Sequence, residues 1–176
     1  MSRKYKFLNP EGVYFVTLTV QGWVDVFTRN EYKNILIDSL IYCQENKGLE
    51  IYAYCIMTSH THLIVSANQE FILSDIIRDF KKFTSRTILS SIRNNPQESR
   101  KEWLLKQFET KKGNSFWQPE SRPIELWSNK VIVQKINYIH QNPVEEGLVF
   151  HPEDYMYSSA YDYAGGRGLL DITLIE

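Results

Sequence analysis

Residues 13–20 read VYFVTLTV, a run of β-branched and aromatic side chains that predicts a strand. The apolar period then lengthens. Tyr32, Ile35, Leu36, Leu40 and Cys43, with Ser39 among them, recur at helical spacing, and Asn46-Lys47-Gly48 supplies a stop. Residues 49–57 form a second strand segment, and the short Thr58-Ser59 link into a strand starting at His60 predicts a hairpin. A second long helix follows, with Ser74 as its N-cap by residue type and Ile76, Ile77, Phe80, Phe83, Ile88 and Ile92 as its apolar face.

The order βαββα is most of a split βαβ unit, and its last strand is expected within residues 115–126. The expectation is therefore an α+β fold: a ferredoxin-like βαββαβ antiparallel sheet with helices on one face. Residues 95–114 interrupt the pattern with polar sequence and read as an insertion, with Trp103, Leu104 and Phe108 marking a short amphipathic helix inside it. A third helix is expected over residues 129–141, with Ile132, Ile136 and Ile139 as its stripe and Pro143 ending it. Residues 144–176 read as an irregular tail with a loop at YAGGRG. In domain terms, residues 1–150 form one unit and residues 151–176 an extension packed on it or trailing from it.

Composition supports a folded chain. Of 176 residues, 43% are hydrophobic and 14% aromatic, enough for a real core. No apolar run reaches the roughly 20 residues of a membrane helix, and MSRKYKFLNPEG has no apolar stretch behind its basic residues, so a cytoplasmic location with no membrane partner is expected. Cys43 and Cys55 lack metal or redox spacing and read as reduced, buried thiols.

A net charge of −1 hides a lopsided distribution. Residues 78–112 carry ten basic side chains against four acidic ones, a local +6, whereas residues 145–176 set seven acids against Arg167 alone, a local −6. The middle of the chain suits phosphates and the end does not. Arg78, Lys82 and Arg86 follow i, i+4, i+8, a basic row that serves either as solvated surface or as a phosphate contact.

Candidate chemistry begins at SHTHLIV. On a strand, His60 and His62 project from the same face, able to hold one metal ion or to serve as ordinary hydrogen-bonded residues. A third ligand is not fixed by spacing: His140, His151, Asn142, Gln141 and nearby carboxylates all qualify by type. Tyr138 and Asn142 lie four apart and share a helix face; by composition alone they read as an edge aromatic and a C-cap.

The ordered set MTSHTHLI at residues 57–64, FWQ at 116–118, YIHQNPV at 138–144 with GLV at 147–149, and YSSA at 157–160 resembles the HUH-type single-tyrosine transposases, and among them the REP-associated tyrosine transposases. The resemblance spans about residues 10–162. Relatives usually carry Pro-Asn where this chain has Thr58-Ser59, and commonly a leucine in place of Gln141; neither difference removes a reactive group.

What the resemblance implies is a ferredoxin-like fold and a metal-dependent enzyme that cuts and rejoins single-stranded DNA beside hairpins through a 5′-phosphotyrosine. By the same resemblance Tyr138 is the nucleophile, and His60, His62 and Asn142, with Gln141 as alternative, are ligands of Mg²⁺ or Mn²⁺. Arg78, Lys82, Arg86 and Trp117 are the expected DNA contacts. The partner is a single strand with a hairpin, and the chain acts as a monomer or homodimer, with the acidic tail favouring the monomer. Competing readings are a noncatalytic single-strand DNA or RNA binding module and a metal-dependent phosphodiesterase that uses water.

Overall fold

The computed structural model describes residues 6–111 and 113–175; the basic residues Arg3 and Lys4 and Lys112 of the basic segment lie outside the described residues. In chain order the main elements are β1 (Val13–Thr19), α1 (Asn30–Lys47), β2 (Leu49–Ile56), β3 (His60–Ala67), α2 (Leu73–Asn94), α3 (Lys101–Phe108), β4 (Glu109–Thr110), β5 (Gly113–Asn114), β6 (Ile124–Leu126), α4 (Asn129–Glu145) and α5 (Ala160–Tyr163). The sheet runs β2-β3-β1-β6, antiparallel at every pair. This is the expected ferredoxin-like α+β arrangement, and no helix among the described residues is long and apolar enough to cross a membrane.

Each early element forms where its local chemistry directs. Helix α1 buries Tyr32, Leu36, Leu40 and Cys43 and ends on Gly48, whose φ of 60° is the left-handed cap that a side chain resists. Met57 N–H donates to the His60 carbonyl at 2.8 Å and closes the β2–β3 hairpin. Both cysteines are free and buried.

Four local expectations need correction. Helix α2 starts one residue before Ser74, at Leu73, with Ile72 as N-cap and no side-chain cap; its first turn carries Asp75 against the helix dipole. Phe83 stands on the outer side of α2 and is exposed, as is Trp103 on α3. Pro143 does not end α4, which runs to Glu145. The stop is Gly147 at φ 70°, with Leu148 N–H returned to the Pro143 carbonyl at 2.8 Å, so the proline forfeits one hydrogen bond near the helix end.

The last strand is broken. Gln21 N–H donates to Phe116 O (2.7 Å), Gln118 N–H to Thr19 O (2.8 Å) and Thr17 N–H to Ser121 O (3.2 Å) before β6 pairs with residues 13–15. Residues 95–114 are anchored by Glu98, whose side chain is fully buried and meets Arg29 Nε at 2.8 Å and Tyr32 Oη at 3.2 Å. Leu104 and Phe108 of α3 join the core.

Residues 157–159 lie along the outer edge of β2: Ile56 N–H donates to Tyr157 O (2.9 Å) and Ser159 N–H to Tyr54 O (3.0 Å). Farther on, Thr173 N–H reaches Ile51 O at 2.9 Å and Leu170 is buried. The segment read as an irregular tail is thus hydrogen-bonded onto the sheet.

Candidate active site

Strand alternation places His60 and His62 on one face, and the register sets Thr19 opposite His60 and Thr17 opposite His62. Helix α4 covers this face: the ring of Tyr138 lies 5.7 Å from that of His62 and 6.2 Å from that of Phe15. The opposite side chains of the strands, Val16, Leu18, Leu63 and Val65, are sealed from solvent on the side of α1 and α2. The two histidine rings are 4.7 Å apart, and Phe15 stacks on His62 at 5.3 Å.

Each imidazole is oriented by a hydroxyl. Thr17 Oγ1 pairs with His62 Nδ1 at 3.0 Å, and Ser59 Oγ with His60 Nδ1 at 3.3 Å. That leaves the Nε2 atoms, and His62 Nε2 is buried with no hydrogen-bond partner. An orphaned ring nitrogen costs stability unless something binds it. Burial, followed by the charges of His60 and Lys135, pushes His62 down to about 3, and burial also lowers His60. Both rings are therefore neutral near pH 7, with lone pairs available to a cation. Hydroxyl-oriented, neutral imidazoles with free Nε2 atoms fit a divalent metal. Among the described residues no cluster of three His, Cys, Asp or Glu side chains forms, so further ligands must come from amide oxygens, water or the substrate.

Helix α4 presents its buried face through Ile132, Ile136, Ile139 and His140 and leaves Tyr138 46% exposed. Lys135, one turn before the tyrosine, holds its ammonium 5.2 Å from the Tyr138 ring and 4.8 Å from the Phe15 ring. Asn142, one turn after, donates from Nδ2 to the Tyr138 carbonyl at 2.6 Å and keeps its side-chain oxygen unused by that bond. Gln141 faces solvent. The structure brings Tyr138, His60 and His62 together; no hydrogen bond joins Asn142 to either histidine.

Other candidates fall elsewhere. His140 is buried, lowered by that burial to about 4, and its Nε2 meets Ser159 Oγ at 2.8 Å. It ties α4 to the segment along the β2 edge through that bond; His151 lies beyond α4, exposed. Trp117 is corrected from DNA contact to core residue: it is 5% exposed, packed against Phe27 and Phe116, with Nε1 donating to Thr84 Oγ1 at 3.0 Å, so no ring face is open to a base.

The basic row does not border the histidines. Lys82 and Arg86 line a groove of about 670 Å³ with Ile35, Asp38 and Tyr42 of α1, in the helix layer across the sheet, and Arg78 is turned onto Asp75 (2.6 Å) and Asp79 (3.1 Å). Thr17, Ser59 and Lys135 were not singled out from sequence. The register opposite the histidines would have found Thr17, and the i−3 spacing from Tyr138 would have found Lys135.

A family model described as "Transposase IS200 like" matches residues 13–142. Among solved structures, that of a REP-associated tyrosine transposase bound to a REP hairpin superposes with a TM-score of 0.68 at 22% identity, covering 98% of this chain and 94% of that one. A Deinococcus radiodurans R1 protein provisionally classed as a transposase gives a TM-score of 0.46 at 20% identity, over 80% of this chain and 97% of that one. No curated protein matches this chain.

Proposed function

The chain belongs to the IS200-like transposase family, and on that premise we propose that it cuts and rejoins single-stranded DNA beside a hairpin, with Tyr138 as nucleophile. The carrying observation is the half-exposed Tyr138 ring 5.7 Å from His62, over the one sheet face that bears the histidine pair.

In this reading His60 and His62, with the Asn142 side-chain oxygen or in its place Gln141, hold Mg²⁺ or Mn²⁺; imidazole with amide oxygen suits Mn²⁺ well. When bound, such a cation offsets the charge of the phosphate oxygens. The chain's own residues do the rest. Thr17 and Ser59 fix the two rings. The Lys135 ammonium supplies positive charge where a phosphate approaches Tyr138. Tyr138 Oη forms a bond to phosphorus as the P–O3′ bond breaks; the phenol proton passes to solvent and the departing 3′ oxygen takes one up. The 5′ end is left esterified to Tyr138, and attack by another 3′-OH reverses the step without ATP.

His60, His62 and Tyr138 that meet here belong to one chain, which supports activity as a monomer. Residues 1–150 then carry the chemistry, and residues 151–176 brace them.

The test uses 3′-end-labelled single strands from the DNA flanking the gene, incubated with Mn²⁺ or Mg²⁺ and run on a denaturing gel. The expected result is a label that migrates with the protein only when Tyr138, His60 and metal are all present. Cleavage that survives Tyr138→Phe assigns the site to hydrolysis by water; binding of all strands with no cleavage assigns it to a binding module.

A further inference from the structure

The histidine pair has an aromatic neighbour at each end. Tyr138 stands beside His62, and Trp23 stands beside His60, ring centroids 5.5 Å apart at an interplanar angle of 69°. Trp23 is 60% exposed, whereas the two histidines between it and Tyr138 are buried. Of the exposed tryptophans, Trp23, Trp103 and Trp127, Trp23 is the one with a ring contact to either histidine.

Trp23 does not sit where hydrophobicity alone would put an indole. It closes the 3-10 turn Gln21–Trp23 that leaves β1, and its backbone is left-handed at φ 58°. A bulky residue holds that conformation only when its surroundings impose it. Here they are main-chain bonds: Trp23 N–H to Val20 O at 3.0 Å and Gln21 N–H to Phe116 O at 2.7 Å. The turn is fixed without help from the indole, and the indole is held in solvent over the end of the site. Indole left in water forgoes burial that a stacked base restores, and aromatic platforms beside cationic sites are how proteins hold unpaired bases.

We infer that Trp23 is a base-stacking platform for the single strand, holding a nucleotide that flanks the phosphate cut at Tyr138. The inference rests on the DNA-cleaving reading above. From Trp23 through His60 and His62 to Tyr138, successive ring centroids are 5.5, 4.7 and 5.7 Å apart, so the ends of this chain of contacts lie within the reach of a few nucleotides of extended strand. Although it touches His60, the indole is 60% exposed, and that surface is open to a purine or pyrimidine alike. Every base has a π-face, so the platform fixes position and tolerates sequence.

The test is photocross-linking of the full-length protein to flanking single strands that carry 5-iodouridine at successive positions. The modified residue is identified by mass spectrometry, with anisotropy measured in parallel on Trp23→Ala and Trp23→Phe. Expected are cross-links to Trp23 from one or two adjacent nucleotides, binding weakened about 5- to 150-fold in Trp23→Ala, and most of it kept in Trp23→Phe. Strands that bind but never cross-link to Trp23, with Trp23→Ala binding as tightly as wild type, would overturn the platform. Cross-linking to Trp23 without any Tyr138 adduct would sink the cleavage reading and leave the platform standing. A protein that binds no strand at all refutes both.

Discussion

Acidification from pH 7 to pH 5 is expected to destabilise the metal-free protein, with His140 carrying about 2 kcal/mol of the effect. His140 and His62 are both buried and held at about 4 and about 3, while an unfolded histidine titrates near 6.5. The unfolded chain therefore takes up protons first as pH falls. The stability tied to each ring is fully present above about pH 6.5 and erodes below it, for His140 down to about pH 4. Between pH 7 and 5 each ring loses about 2 kcal/mol by this linkage, about 4 kcal/mol together, a large share of the roughly 5–15 kcal/mol that holds a typical domain folded. Lowered His60 adds in the same direction. Urea denaturation with a chelator present, at both pH values, measures the loss. In His140→Gln, which cannot titrate, the pH-dependent part should fall by about 2 kcal/mol whatever that variant's stability at pH 7. A His140→Gln protein that keeps the full pH dependence would mean that the ring is not sealed behind α4 and Ser159, and the reasoning would fail.

Three further outcomes follow from the geometry. Lys135→Met should lower the rate of strand cleavage by about 10- to 100-fold, read in single-turnover assays, with a smaller effect on binding, because the ammonium near Tyr138 acts where charge develops. Thr17→Val removes the hydroxyl on His62 Nδ1 and should weaken Mn²⁺ binding about 10- to 100-fold, measured by titration calorimetry; unchanged affinity would show that the hydroxyl does not orient the ligand. Glu98→Ala should cost about 1–3 kcal/mol in chemical denaturation, since Tyr32 Oη and the Arg100 N–H lose their buried acceptor while Arg29, 34% exposed, turns to water, and a loss under about 0.5 kcal/mol would show that Glu98 does not anchor the segment.

Much of the fold was legible because its signals are local. The period change from 13–20 to 32–43, the glycine stop at 48 and the hairpin at 58–59 all operate within a few residues, and the strand, helix and hairpin follow them. The broken last strand was harder to place because its pairing to β1 is interrupted by Pro119, Pro123 and Arg122, the last at φ 41°. Pro143 misled because a helix tolerates proline near its end when the next few residues supply a better cap. At the site, identity of residue type did not reveal burial. Trp117 and Trp23 are equally good stackers on paper, yet tertiary packing seals one against Thr84 and leaves the other in water. The Arg78, Lys82, Arg86 row is sound as a helix face, but which side of the sheet that face looks from is a property of the fold.

The strand-like run of residues 157–159 along β2 has a consequence for self-association. An open β2 would offer a row of unpaired amides and carbonyls to any neighbouring chain. Instead Ile56 N–H and the Tyr54 carbonyl are already taken from within the molecule. At the other margin β6 is three residues long, too short a template for another strand to zip onto. With both margins blunted, edge-to-edge pairing between the sheets of neighbouring copies is disfavoured, so the fold resists the strand-by-strand growth from which a fibril is built.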